Sequence, residues 1–126
     1  MIKCIHHIAI IVSDVERSLT FYEDLLGFSV LKRTFREERQ SWKIDMVKGE
    51  MQLELFTFPH APNRPSRPEA LGLRHLAFGV DNLLAMMHRF SALAWPVEPI
   101  REDALTGKRF FFTSDPDGLP IEFYEA

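Results

Sequence analysis

The stretch HIAIIVSD, residues 7–14, returns as HLAFGVDN, residues 75–82, and this return decides the fold. The offset between the two is 68 residues, and it holds well beyond them. Leu53, Glu54, Leu55 and Phe56 fall on Ile121, Glu122, Phe123 and Tyr124; Tyr22 falls on Phe90 and Leu25 on Leu93. His7 to Glu54 and His75 to Glu122 are both separations of 47 residues. Equal spacings inside matching hydrophobic patterns mark an internal repeat.

Each half carries the same order of elements. Residues 3–12 form a strand, and Ser13 with Glu16 opens a helix as a capping box. Val15, Leu19, Tyr22 and Leu26 give that helix one apolar stripe, and Gly27 suits its C-terminal stop. Strands follow at 28–36, 41–48 and 51–58, the last two joined by the turn Lys48-Gly49-Glu50. The second half repeats this: a strand at 73–80, a helix at 82–94 opened by Asp81 or Asn82, and strands at 97–102, 108–114 and 119–125. Between the halves lies FPHAPNRPSRPEALG, which carries four of the eight prolines and reads as an extended, stiff linker. The expected fold is α+β: one domain over residues 1–126, made of two βαβββ modules (1–58 and 73–126) joined by the linker 59–72.

Period-two alternation separates the faces of the strands. Ile8, Ile10 and Val12 oppose His7, Ala9 and Ile11; Leu53 and Leu55 oppose Gln52, Glu54 and Phe56. Leu76, Phe78 and Val80 oppose His75, Ala77 and Gly79, while Ile121 and Phe123 oppose Pro120, Glu122 and Tyr124. Four strands thus share one design, an aliphatic face for packing and a second face with one ligand-type residue. An unpaired buried carboxylate is costly, so something positive should sit beside Glu54 and Glu122. No Lys or Arg shares their face on those strands, and a divalent metal held by His7, Glu54, His75 and Glu122 fits best. A lone histidine is more often a hydrogen-bonded core residue, and a lone strand glutamate is more often solvated; the paired spacing is what favours ligands. His6 counts to the aliphatic side and is assigned a structural role. His60 in the linker and His88 on the polar side of the second helix are ordinary.

The bulk numbers bound the function. At 126 residues, 46% hydrophobic and 26% charged, the chain is an ordinary globular domain with a real core. Net charge is −3 with the signs interspersed, so no basic stripe invites nucleic acid or an anionic membrane. No apolar run approaches the ~18 residues of a membrane span, and the histidine pair spoils any signal-peptide core. Cys4 is the only cysteine, which suits a reducing cytoplasm, and as a strand residue it is expected to be inert packing.

Taken together, HHIAIIVSD, FYEDLLGF, LRHLAFGVDN and DPDGLPIEFYE resemble the vicinal-oxygen-chelate superfamily of glyoxalases, bleomycin and fosfomycin resistance proteins and extradiol dioxygenases. The resemblance covers the whole chain and is nearest to the small glyoxalase-like proteins of the YaeR type. It implies paired βαβββ modules curling into a cup-shaped mixed sheet with helices on the outer face. It also implies one divalent ion per site on His7, Glu54, His75 and Glu122, with Glu122 as the base. A homodimer is a further implication, with the site built either within one chain or across the two. The N2O2 set admits Ni²⁺, Co²⁺, Zn²⁺, Mn²⁺ or Fe²⁺.

The resemblance has departures. Glutathione-using glyoxalases carry Arg four residues after the first ligand and Asn four residues after the first Glu; here those positions are Ile11 and Phe58. The expected activity is therefore a metal-dependent, lactoylglutathione lyase-like isomerisation or lyase reaction on a small substrate, without glutathione, begun by proton removal beside a metal-chelated oxygen. The alternatives are an extradiol-type dioxygenase, against which the fourth ligand argues, and a small-molecule-binding resistance protein without turnover. Arg36, Lys43, Arg64, Arg67, Lys108 and Arg109 are candidate anion contacts, each more often a solvated charge. Arg36 and Lys43, beside Trp42, are the first choices. No phosphate loop, nucleotide fingerprint or Ser-His-Asp order is present.

Overall fold

In β1 (Ile8–Ile11), burial alternates as the sequence pattern requires: Ile10 is buried, Ile11 is 56% exposed, and Val12 just beyond is buried. A computed structural model describes all 126 residues and divides the chain into two units, Met1–Asn63 and Arg64–Ala126. In the first, β1 is followed by a short α-helix, α1 (Val15–Leu19), which continues as a π-helical turn over Thr20–Leu25. Then come β2 (Ser29–Arg36), a 3₁₀ turn over Glu37–Arg39, β3 (Ser41–Lys48) and β4 (Met51–Phe56). The sheet order is β1-β4-β3-β2, with β1 parallel to β4 and the other pairs antiparallel.

The second unit repeats the design with β5 (Leu76–Val80), α2 (Leu83–Ala92), β6 (Arg101–Glu102), β7 (Arg109–Ser114) and β8 (Pro120–Glu125). Its order is β5-β8-β7-β6, and β5 is again parallel to β8. These are the two βαβββ modules that the 68-residue repeat requires.

Each module buries one face of its sheet. Ile44, Met46, Leu53 and Leu55 are buried in the first, alongside Phe21, Tyr22 and Leu25 of the helical segment. In the second, Phe90 of α2 packs against Phe111 and Phe123, with ring centroids 6.3 and 5.4 Å away. Burying each such ring contributes roughly 1.5–3 kcal/mol.

Several local boundaries differ from the sequence expectation. The cap of α1 is Asp14, not Ser13: Asp14 has the extended backbone of a cap (φ −145°), and its carboxylate accepts from Arg17 N–H at 2.8 Å. A carboxylate there also favours the positive end of the helix dipole. Asn82 caps α2 by accepting from Ala85 N–H. Pairing of β1 begins at Ile8 opposite Leu53, so residues 3–7 are not strand, and Cys4 is exposed rather than packed. β5 likewise begins at Leu76, after His75. β6 shrinks to two residues because Pro96 and Pro99 have no N–H to give a ladder. The backbone N–H of Glu98 still bonds to Phe112 C=O at 2.8 Å. Gly27 adopts φ +85°, the left-handed conformation that ends the first helical segment. No helix is long and apolar enough to cross a membrane.

Candidate metal centre

Strand pairing places each His–Glu pair. β1 runs beside β4 with Ala9 opposite Glu54, and β5 runs beside β8 with Ala77 opposite Glu122. Side chains two residues apart along an extended chain share a face. His7 and His75 therefore stand on the carboxylate face, one diagonal step from their glutamates. The intervening alanines keep that step open.

The resulting distances are 3.6 Å from His7 Nε2 to Glu54 Oε2 and 3.2 Å from His75 Nε2 to Glu122 Oε1. Two donors on one ion, each at the ~2.1 Å of a nitrogen or oxygen ligand, stand roughly 3.0–3.4 Å apart. The His75–Glu122 pair falls inside that range and the His7–Glu54 pair stands just beyond it, and both mix imidazole with carboxylate. The structure thus brings His7 together with Glu54, and His75 together with Glu122, one pair per module. Within neither module does a third His, Cys, Asp or Glu complete a cluster able to hold a metal.

The surroundings of the two pairs differ. Asp45 on β3 stands opposite Glu54, and Lys43 lies 3.4 Å from Asp45 and 3.8 Å from Glu54. The absence of a cation on the glutamate strands themselves was therefore an incomplete guide, because the neighbouring strand supplies one. The register of β3 on β4 was the missing information. At the equivalent place in the second module, Phe112 stands opposite Glu122 and meets the His75 ring edge-on at 5.0 Å. Glu122 makes no ion pair with Lys or Arg.

His6 is exposed, and its Nδ1 lies 2.9 Å from Nδ1 of His7. With one proton between them, the bond turns His7 Nε2 toward Glu54, the arrangement by which outer partners orient a ligand imidazole. Strand alternation extended into residues that are not strand is what misassigned His6. His75 has no such partner: its Nδ1 is buried and unbonded.

The DPDG turn sets the start of β8. Asp115, buried, accepts from the N–H groups of Asp117 and Leu119 at 2.9 Å each, and Gly118 takes φ +87°. Beyond Glu122 on the same face, Tyr124 donates to Asp103 at 2.9 Å and also contacts Thr106 Oγ1. The Leu105 N–H, and then the Tyr124 hydroxyl, hold the Asp103 carboxyl below its ordinary pKa. Hydrogen bonds from Arg109 do the same for Glu125.

Of the candidate anion contacts, Arg36 lies over the rings of Phe56 and Phe58, 4.8 and 5.6 Å from their centroids, and bonds to Ser41. Arg109 is held by Glu125. Arg64 donates to the C=O groups of Leu73 and Arg74, tying the proline-rich segment to the residues just before His75. His60 and His88 are exposed.

Residues 4–123 match the family model of the Glyoxalase/Bleomycin resistance protein/Dioxygenase superfamily. The chain belongs to that superfamily. It is 51% identical to the uncharacterized protein YaeR of Escherichia coli K12, over 98% of this chain and 97% of that one. It is 44% identical to a glyoxalase family protein of known structure from Enterococcus faecalis, covering 98% of each chain with a TM-score of 0.92. A lactoylglutathione lyase of Haemophilus influenzae is 30% identical over 94% of this chain and 90% of its own. Members of the superfamily typically bind a divalent metal ion and are typically dimers that bind small molecules.

Proposed function

We propose that this protein is a metal-dependent lyase or isomerase that takes a proton from carbon in a small substrate with two adjacent oxygens. The duplicated His–Glu pair carries the reading, since each half presents a nitrogen and an oxygen donor 3.2–3.6 Å apart, at or just beyond the spacing of neighbouring ligands. In this proposal His7, Glu54, His75 and Glu122 together hold one divalent ion, with a homodimer as the working unit. Such an ion, when bound, polarises chelated oxygens and acidifies the C–H beside them.

Glu122 is the proton acceptor. Glu54 is engaged by Lys43 at 3.8 Å, whereas Glu122 has no Lys or Arg beside it and its carboxylate oxygen is freer to accept a proton. His75 orients that carboxylate. Ile11 is exposed and Phe58 stacks on Phe56, so neither position offers a polar group to the termini of glutathione. The substrate is accordingly small and not a glutathione adduct.

The test begins with elemental analysis of untagged protein. One divalent ion per site is expected in the wild type, with strong depletion in His7→Ala and in His75→Ala. The protein with its metal restored is then given a panel of 2-oxoaldehydes and α-hydroxyketones in D₂O, and deuterium entry at the α-carbon is followed by NMR. At matched metal occupancy Glu122→Gln should lose about 10²–10⁴ in exchange rate. Glu54→Gln should show mainly a metal deficit. Unchanged metal content in both histidine variants sinks the metal reading; full exchange in Glu122→Gln moves the base elsewhere. Oxygen uptake with catechols and no exchange would instead make the protein a dioxygenase.

A further inference from the structure

A cavity of about 430 Å³ lies within the second unit, Arg64–Ala126, and four arginines line it: Arg64, Arg67, Arg74 and Arg101. Two acidic residues, Glu69 and Glu98, share the lining, so four guanidinium charges face two carboxylates, a net +2 from these six residues. The volume is in the range of small-molecule sites.

The arginines are not equivalent. Arg64 is committed to backbone carbonyls and to Ser66. Arg74 meets Glu69 only at 3.9 Å, between exposed side chains. Arg101 meets Glu98 at 3.4 Å and lies over Phe110 and Phe112, 5.0 and 5.7 Å from their centroids, which holds its guanidinium plane against the aromatic wall. Arg67 makes no hydrogen bond or ion pair. Exposed pairs such as Arg74–Glu69 contribute little and exchange readily for a better partner. His75 lines the same cavity, and its buried Nδ1 is unbonded.

We infer that this cavity seats a phosphate monoester, gripped by Arg67, Arg74 and Arg101. Two uncompensated guanidinium charges match a dianion, and the fork of each guanidinium suits phosphate oxygens. The inference rests on the proposed function and names its substrate class: a small phosphorylated compound whose phosphate sits among the arginines while its adjacent oxygens face His75 and Glu122.

The experiment is calorimetric titration of untagged protein, metal-free and metal-restored, with inorganic phosphate, acetate and dihydroxyacetone phosphate. Metal-free protein should bind inorganic phosphate once per chain and acetate about tenfold more weakly or not at all. Arg67→Gln and Arg101→Gln should each weaken phosphate about tenfold or more, and Arg109→Gln, outside the cavity, should not. Restoring the metal should tighten the monoester beyond inorganic phosphate. Equal affinities in the wild type, Arg67→Gln and Arg101→Gln overturn the site. So does equal weakening in Arg109→Gln, or acetate binding as tightly as phosphate. Inorganic phosphate remaining the tighter ligand with metal restored overturns the monoester assignment. Phosphate binding that persists with no metal bound by the wild type supports this site while refuting the metal reading; normal metal binding with no phosphate binding refutes this site alone.

Discussion

Removing the Asp115 carboxylate should cost more stability than any other single polar truncation in the second module. Asp115 is 4% exposed and accepts two backbone N–H bonds, from Asp117 and Leu119, each at 2.9 Å. Hydrogen bonds to a charged group contribute about 1.5–3 kcal/mol each, which sets a ceiling of roughly 6 kcal/mol for Asp115→Ala. The half-buried Asp117 N–H can recover water, whereas the N–H of buried Leu119 cannot. The expected loss is therefore about 2–4 kcal/mol, or roughly 10 °C in Tm for a chain of this length. Asp115→Asn keeps an acceptor oxygen in the same place and should lose only about 1 kcal/mol. Urea unfolding followed by circular dichroism reads both values. Because the turn aims β8, Asp115→Ala should also weaken metal binding more than Asp115→Asn does. Equal stability losses in the two variants, or a loss below about 0.5 kcal/mol in Asp115→Ala, would refute the reasoning, since that is the range of an ordinary surface change.

Lys43→Met should tighten divalent metal binding about three- to tenfold, because a half-exposed ammonium that now competes for Glu54 would be gone; competition titration against a chromogenic chelator measures it. Stability should fall on acidification below about pH 4.5, and Glu125→Gln should flatten that acid limb. The folded-state pKa of Glu125 is lowered from its ordinary 4.5 by Arg109, so its contribution is present above 4.5 and lost as pH drops through the lower folded value; Tm measured against pH tests it. The glutathione hemithioacetal of methylglyoxal should be turned over well below the ~10⁴ M⁻¹s⁻¹ floor of ordinary kcat/KM values. Ile11→Arg combined with Phe58→Asn should raise that rate, and coupled absorbance assays of both proteins decide the point.

The repeat and the strand faces were legible in the sequence because both rest on periodicity, and periodicity survives without knowledge of neighbours. The 47-residue spacing paired His7 with Glu54 and His75 with Glu122 for the same reason: parallel pairing of like strands in two like modules fixes the separation. What escaped were features set by lateral register or by local competition. Lys43 reaches Glu54 only because β3 pairs with β4 in one particular register. His6 is exposed because the strand starts at Ile8, five residues later than the apolar pattern suggested. The π-turn over Thr20–Leu25 puts the adjacent pairs Phe21–Tyr22 and Leu25–Leu26 all inside, a demand of packing that no local propensity announces. The arginine-lined cavity draws on Arg64 and Arg67 from the proline-rich segment and Arg101 from a two-residue strand. No motif spacing connects them.

Because an alanine faces each glutamate across two parallel strands, with the histidine one residue before the ladder begins, the glutamate is written into main-chain hydrogen bonding and its histidine into the entry to the neighbouring strand. It behaves as a portable cassette, a His-x-Ala leading into one strand beside a Glu on the next. Segments 37–40, 59–72 and 103–108 can then drift, lengthen or be exchanged while the donors stay put, so new substrates become reachable by editing the borders alone. The same economy offers a route for engineering, since any host sheet with two adjacent parallel strands has the frame for one half of such a clamp.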